Sequence, residues 1–146
     1  MRVNNTHMFD AIEAVVKRGA EGRSLGGARE AAELCIAFAA LRRGGASFWW
    51  RVGYGLGQGG KGTALKCLPS GTMCKVVEGF GRVGRRNGGV CSAAVEAAVG
   101  KLGSYKTGDI RRLVWGLATL GQASSKVLRP CRTLSLRVLH SMVTGV

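Results

Sequence analysis

Residues 113–122 read LVWGLATLGQ and repeat, without gaps, two earlier segments of the chain, LCIAFAALRR at 34–43 and VVEGFGRVGR at 76–85. In all three segments the first, second, fifth and eighth positions are apolar. This spacing places them on one stripe of an amphipathic α-helix. The fourth and sixth positions are always Ala or Gly, and small residues on such a stripe let a neighbouring helix approach closely. The segments therefore predict three similar helices that pack side by side.

Each copy is followed by a turn and by a second stretch that is compatible with a helix. Equivalent residues are 42 positions apart from Phe38 to Phe80 and 37 apart from Phe80 to Leu117. Periods of this length are typical of helix-turn-helix repeats that stack into a solenoid. We therefore predict an all-α fold, an α-solenoid of about three to four helix-turn-helix repeats. The predicted single domain covers 1–146, with a partial repeat at roughly 5–27 and further repeats at 28–66, 70–104 and 107–146.

The first repeat is the least regular part of this pattern. The segment MFDAIEAV, which begins at Met8, places Ile12 and Val15 in the same stripe positions. Only 26 residues separate Ile12 from Phe38, which is too few for a full helix pair with comfortable loops. The alternative to true repeats is an irregular helical bundle whose helices resemble one another because all are amphipathic.

The chain is strongly basic, with 22 Lys and Arg against 8 Asp and Glu and a formal net charge of +14 over 146 residues. No acidic residue lies between Leu34 and Val77 or between Ile110 and Val146. A hydrophobic content of 46% predicts a folded protein rather than a disordered basic tail. Such a charge repels itself unless a polyanion neutralises it. The acid-free stretches therefore predict a surface that contacts phosphate, and the alternatives at this point are a generically basic surface and a membrane surface.

Basic residues cluster at the predicted helix ends and inter-helix turns. Arg43 and Arg85 occupy the same position of two copies, and Lys75 and Arg112 occupy another. Basic residues at a helix C-terminus also have a purely structural effect, because they complement the helix dipole by about 0.3–1 kcal/mol. The residues that we expect to contact RNA are Arg42, Arg43, Arg51, Lys61, Lys66, Lys75, Arg82, Arg85, Arg86, Arg111, Arg112, Lys126, Arg129 and Arg132.

Aromatic residues follow the first basic turn. Phe48, Trp49 and Trp50 are consecutive, with Tyr54 close behind. Adjacent residues on a helix point about 100° apart, so the two tryptophans cannot both face the core. The outer one either covers a neighbouring helix or a protein partner, or stacks on an unpaired base.

Residues 55–63 read GLGQGGKGT, which satisfies the phosphate-loop pattern G-x-x-x-x-G-K. The surrounding sequence opposes this interpretation. The stretch before the loop is too interrupted for the buried strand that such a loop follows, and Pro69 ends any helix that begins after it within two turns. With 24 glycines in the chain, chance matches are common. We expect a glycine loop that lies along the RNA backbone, with Lys61 and Lys66 on phosphates.

No other constellation predicts catalysis. The sequence has no Ser-His-acid set and no paired carboxylates in plausible reach, and its five cysteines contain no C-x-x-C pair. Cys35 and Cys91 stand among apolar neighbours, where Cys behaves as a small hydrophobic residue. No run approaches the roughly 18 apolar residues that span a bilayer. We expect a protein that is not an enzyme, with no cofactor, no metal, no small-molecule substrate and no membrane partner.

The third copy, DIRRLVWGLATLGQASSKVL at 109–128, resembles a unit of the octotricopeptide and heptatricopeptide repeat families. The residues that carry the resemblance are Leu113, Trp115, Leu117, Ala118, Thr119, Leu120 and Gly121. The second copy keeps only Phe80, Val83 and Gly84 of this run, and the first keeps Phe38, Ala39 and Leu41. The resemblance is good over roughly 30 residues.

The resemblance implies an organellar RNA-binding solenoid. Members that read sequence carry many repeats, whereas this chain has three or four, which favours a structural clamp on folded rRNA. We expect a non-catalytic RNA-binding subunit of a large ribonucleoprotein, a divergent mitochondrial ribosome in the mitochondrial matrix, with neighbouring proteins as further partners. The alternatives are a free organellar RNA-stability or processing factor and a basic protein-interaction scaffold.

Overall fold

The computed structural model describes residues 6–18, 27–57, 64–99 and 101–122 of the chain. These residues form six α-helices and two short 3₁₀ helices and contain no strand, which confirms the predicted all-α class. The α-helices are α1 (Thr6–Arg18), α2 (Ala28–Ala40), α3 (Ala46–Gly57), α4 (Ser70–Val83), α5 (Gly88–Val99) and α6 (Thr107–Thr119), and the 3₁₀ helices are Leu65–Cys67 and Leu102–Ser104. The predicted second helix of the last repeat lies outside the described residues.

The three repeated segments begin in α2, α4 and α6, and these helices pack side by side in that order. They run parallel, because contacts between α4 and α6 advance along both helices together, from Gly71 beside Asp109 to Gly81 beside Gly116. The intervening helices α3 and α5 contact each other and also contact α2 and α4, respectively. The described helices thus form two layers, and the repeated segments build the first.

Small residues set the spacing of the first layer. A Cβ atom added to Gly79 of α4 would lie 3.1 Å from the Cβ of Ala39 in α2, and one added to Gly81 would lie 3.1 Å from the Cα of Gly116 in α6. Both contacts join the sixth position of one segment to the fourth position of the next. The close approach predicted from the small residues is therefore confirmed at these two interfaces. Ala37 and Ala118, the remaining members of the pattern, are exposed on the outer sides of α2 and α6.

The same turn ends all three helices of the first layer. Arg42, Gly84 and Gly121 have positive φ angles of 51°, 65° and 68°. The next residue donates its backbone N–H to a carbonyl five residues earlier, from Arg43 to Phe38 at 2.9 Å and from Arg85 to Phe80 at 3.1 Å. Glycine takes this left-handed conformation freely, whereas an L-residue such as Arg42 is strained by roughly 1–2 kcal/mol.

An aromatic row joins the two layers. The rings of Phe38 and Phe48 stack with centroids 4.2 Å apart, and Trp49 meets Phe80 edge to face at 5.2 Å. The thiols of Cys35, Cys74 and Cys91 are buried in the core, so the predicted hydrophobic role of Cys35 and Cys91 is confirmed. Burial raises the pKa of all three thiols, and that of Cys74 reaches about 12. These cysteines are therefore uncharged packing groups at neutral pH.

Helix α1 departs from the predicted pattern. It packs mainly against α3, and its Phe9 also meets Phe38 of the first-layer helix α2. Val16 is buried and Ile12 packs on the core, whereas Val15 is 61% exposed, so the prediction that Val15 occupies the buried stripe is wrong. The reason is that α1 turns a different face inward, one that also brings Phe9 edge-on to Phe38 at 5.5 Å.

The glycine segment 55–63 begins inside a helix. Helix α3 continues to Gly57, so the residues before the loop are helical, where a phosphate-binding loop would follow a strand. The next described α-helix begins only at Ser70. In the ranges that the structure describes, none of the helices has the length and apolar character needed to cross a membrane.

Candidate nucleic-acid interface

Four arginines lie where the first-layer helices turn into the second layer. After α2, Arg42 is the left-handed residue of the turn and Arg43 follows it. After α4, Arg85 and Arg86 stand one and two residues beyond the left-handed Gly84. We call these four residues the turn arginines. Because α2 and α4 are parallel neighbours, both pairs lie at the same edge of the helix stack. Within the described ranges, no acidic side chain forms an ion pair with any of them.

The turn arginines differ in their exposure and in their contacts with the rest of the protein. Arg42 and Arg85 are exposed. Arg43 is half-buried against α1, where its guanidinium lies 5.6 Å from the centre of the Phe9 ring and 3.5 Å from the Thr6 hydroxyl. Arg86 is exposed and reaches the amide oxygen of Gln122 at the end of α6, with Nε 2.8 Å away when the amide is oriented to satisfy both groups. These neutral contacts position two of the charges without cancelling them.

Two further arginines, Arg82 and Arg112, form ion pairs with the carboxylate of Glu78. Glu78 of α4 accepts from Arg82 one turn later at 3.0 Å and lies 3.4 Å from Arg112 of α6. Arg112 also donates to Asp109 at 3.0 Å, and the Asp109 side chain is only 12% exposed. We call Arg82, Arg112, Glu78 and Asp109 the Glu78 cluster. The contact of Glu78 with Arg112 joins α4 to α6. Because its two cations match its two acids, the Glu78 cluster adds no net charge.

The remaining predicted contacts in the described part of the chain fall into three environments. Lys66 is exposed and pairs with Glu96 at 2.6 Å, and this contact lowers the pKa of the Glu96 carboxyl. Lys75 and Arg111 are exposed and have no ion pair with a described residue. Arg51 is half-buried in α3, and its Nη1 is buried without a hydrogen-bond partner among the described residues. Lys61, Lys126, Arg129 and Arg132 lie outside the described residues.

The structure distinguishes the two adjacent tryptophans. Trp49 is buried and donates from Nε1 to the carbonyl of Arg43 at 3.0 Å. Trp50 is exposed and stacks on exposed Tyr54 one turn later, with ring centroids 5.4 Å apart and planes inclined by 17°. The prediction that only one tryptophan faces the core is confirmed. The sequence did not show which one, although the four-residue spacing of Trp50 and Tyr54 indicates that they share a helix face.

One acidic residue near this edge binds a backbone group of the protein. Glu13 of α1 accepts from the N–H of Gly45, just before α3, at 3.0 Å. Among the described residues, no three His, Cys, Asp or Glu side chains come together as they would around a metal ion. The guanidinium groups of the turn arginines are able to bind anions.

No family model, no curated protein and no solved structure matches the chain.

Proposed function

We propose that the protein is a non-catalytic RNA-binding structural subunit of a large ribonucleoprotein, and that it binds folded RNA with the edge that carries the turn arginines. The observation that carries the proposal is the position of these residues. Arginine pairs follow the same left-handed turn in two successive helix pairs and have no acidic partner among the described residues. Guanidinium groups at regular intervals suit a backbone of regularly spaced phosphates.

The proposal includes an α-solenoid of three to four repeats. Its support is the recurrence of particular contacts. The sixth position of one segment meets the fourth of the next at both first-layer interfaces, and the same hydrogen-bonded turn ends α2, α4 and α6. An irregular bundle would have no reason to repeat the same residue pairs. The turns after α2 and α4 are about one helix spacing apart, roughly 8–10 Å, which spreads the turn arginines along one edge. The turn after α6 carries Gln122 at the position of Arg43 and Arg85.

The resemblance of 109–128 to octotricopeptide and heptatricopeptide units favours a location of the protein in an organelle. We propose that the particle is a mitochondrial ribosome of a divergent type and that the protein works in the mitochondrial matrix. A chain with so few repeats is suited to clamping an RNA fold by its backbone, because reading a sequence takes about one repeat for each base.

The salt dependence of RNA affinity tests the proposal. The turn arginines, Lys75 and Arg111 provide six cations that have no described ion pair, and a protein with six phosphate contacts loses about 10³-fold in affinity between 50 and 200 mM salt. We expect a loss of this order for the purified chain and a labelled RNA that contains paired and unpaired regions. A flat response would contradict the proposal and would leave the protein-interaction scaffold.

Sedimentation separates the two RNA-binding alternatives. If the native protein is a ribosomal subunit, it travels with an rRNA-containing particle at moderate salt. If it is a free RNA-stability or processing factor, it remains in the light fractions while retaining its salt-dependent affinity for RNA.

A further inference from the structure

Helix α3 exposes two aromatic side chains to solvent. RNA binding by the turn arginines gives these side chains no role. Trp50 is 62% exposed and Tyr54 is 50% exposed, and their rings lie parallel on the outer face of the helix. The opposite face of the same helix buries Trp49, Val52 and Leu56. The two exposed rings are thus additional to the core, and they leave one flat aromatic face open to solvent.

The surroundings of the pair favour a nucleobase as its occupant. Helix α3 begins at Ala46, directly after the turn that carries Arg42 and Arg43, and Trp50 follows four residues later. Four residues of helix rise about 6 Å, so the indole lies about 6 Å along the helix axis from the end of α3 that adjoins this turn. A base needs one ring face, and stacking on an aromatic side chain does not depend on which base it is.

The size of the surface argues against a protein partner. A stable protein interface covers about 800 Å² on each partner. The rings of Trp50 and Tyr54, already half-covered, provide a small fraction of this area, and the neighbouring Arg51 carries a charge. An indole face beside unpaired guanidinium groups is instead the combination found in sites for single-stranded nucleic acid.

We propose that Trp50, supported from behind by Tyr54, is a stacking platform for one unpaired nucleobase of the RNA whose phosphates contact the turn arginines. This inference rests on the proposed function and adds the class of ligand. The edge would bind RNA most tightly where a paired region gives way to an unpaired nucleotide. Duplex RNA offers no free base face, so it contacts the arginines alone.

The test compares two RNAs with equal numbers of phosphates, a single strand and a fully paired duplex, in binding titrations with three variants. Trp50→Leu removes the ring, and Trp50→Phe keeps a smaller one. Trp115→Leu is the matched control, because Trp115 is 46% exposed but belongs to α6, where its ring packs close to Gly81.

We expect Trp50→Leu to weaken binding of the single strand by about 5- to 150-fold, the range that corresponds to the loss of one stacked base. Duplex binding should change less than about twofold. Trp50→Phe should retain most of the affinity, and Trp115→Leu should behave as the native chain does. The slope of affinity against salt should be the same for Trp50→Leu and the native chain, because no charge is lost.

The outcomes separate the two proposals. If the native chain binds neither RNA, the proposed function fails and the platform fails with it. If the native chain binds RNA in a salt-dependent way and Trp50→Leu binds the single strand equally well, only the platform is wrong. Trp50 is exposed, so its variants should melt within about 3 °C of the native chain. Should Trp50→Leu misfold, Tyr54→Leu gives a second measurement. We expect it to lose less affinity for the single strand than Trp50→Leu would, and to lose no affinity for the duplex.

Discussion

Near the end of α4, arginines lie in two different situations within five residues. Arg82 lies one turn from Glu78 and shares that carboxylate with Arg112 of α6, whereas Arg85 and Arg86 stand beyond the helix end with no acid to pair with in the described part of the chain. Arg82, Arg85 and Arg86 all lie in α4 or in the turn that follows it, whereas Arg112 lies in α6. The comparison shows that counting charges along a sequence gives the number of cations, while the fold decides how many remain for a partner.

The largest effect that we expect concerns the contact that brings Arg112 to Glu78. A Cβ atom on Gly116 would lie 2.7 Å from the backbone oxygen of Val77, so Gly116→Ala must push α6 away from α4. The free energy of unfolding in urea should fall by about 3 kcal/mol. In the control Gly108→Ala, in the same helix, the added carbon meets only the end of the Arg112 side chain at 4.0 Å. That variant should be unchanged or up to about 1 kcal/mol more stable. Equal stability of the two variants would show that the helices are not in this close contact.

Removing Arg112 should affect stability more than RNA binding. Arg112→Ala leaves Asp109, whose side chain is 12% exposed, without its cation. The unfolding free energy should fall by about 1–2 kcal/mol, and RNA affinity should change less than about twofold. Arg85→Ala should do the reverse, with stability inside about 0.5 kcal/mol and a clear loss of affinity. If both variants lose RNA affinity equally, the ion pairs of Arg112 do not prevent it from contacting RNA.

The all-α class and the three first-layer helices were predictable because their apolar and small residues recur with a fixed spacing. The stripe of α1 was read wrongly, because one short helix gives two neighbouring stripes that the sequence cannot distinguish, and packing on α3 selects the one that contains Val16. The candidate site was predictable as a set of basic residues. The sequence did not predict which of these residues form ion pairs. The contact of Glu78 with Arg112 joins residues 34 positions apart in sequence and depends on the register of α4 on α6.

The turns themselves allow a smaller and more specific test. Arg42 has a φ of 51° where the equivalent residue of the next turn is Gly84. Arg42→Gly should raise the unfolding free energy by about 0.5–1 kcal/mol, since relief of strain exceeds the added freedom of the unfolded chain. It should also weaken RNA binding. The reciprocal variant Gly84→Ala, whose new carbon meets nothing within 4 Å, should be destabilised by about 1 kcal/mol. A destabilised Arg42→Gly variant would mean that Arg42 supports the turn rather than an RNA contact.

The smallest expected effect is at Lys66, which belongs with the paired cations. Its hydrogen bond and charge lower the pKa of Glu96, so this pair stabilises the fold above the ordinary carboxyl pKa and loses its effect as the pH falls through the lowered value. In Lys66→Gln the pKa of Glu96 should rise toward the ordinary value, as followed by NMR titration of the carboxyl. RNA affinity near neutral pH should stay within about twofold. An unchanged pKa would show that the pair does not form in solution.

The central claim is that the turn arginines provide the charge that RNA meets. Its most direct test is the slope of log affinity against log salt for Arg42, Arg43, Arg85 and Arg86 all changed to Gln. The control changes Arg29, Lys66, Lys101 and Lys106 to Gln, which removes the same charge away from the turns. If each turn arginine contacts one phosphate, the slope becomes shallower by about 3 in the turn variant and stays within about 1 of the native value in the control. Equal slopes in the two variants would mean that RNA responds only to the overall charge of the protein, and the account would be contradicted.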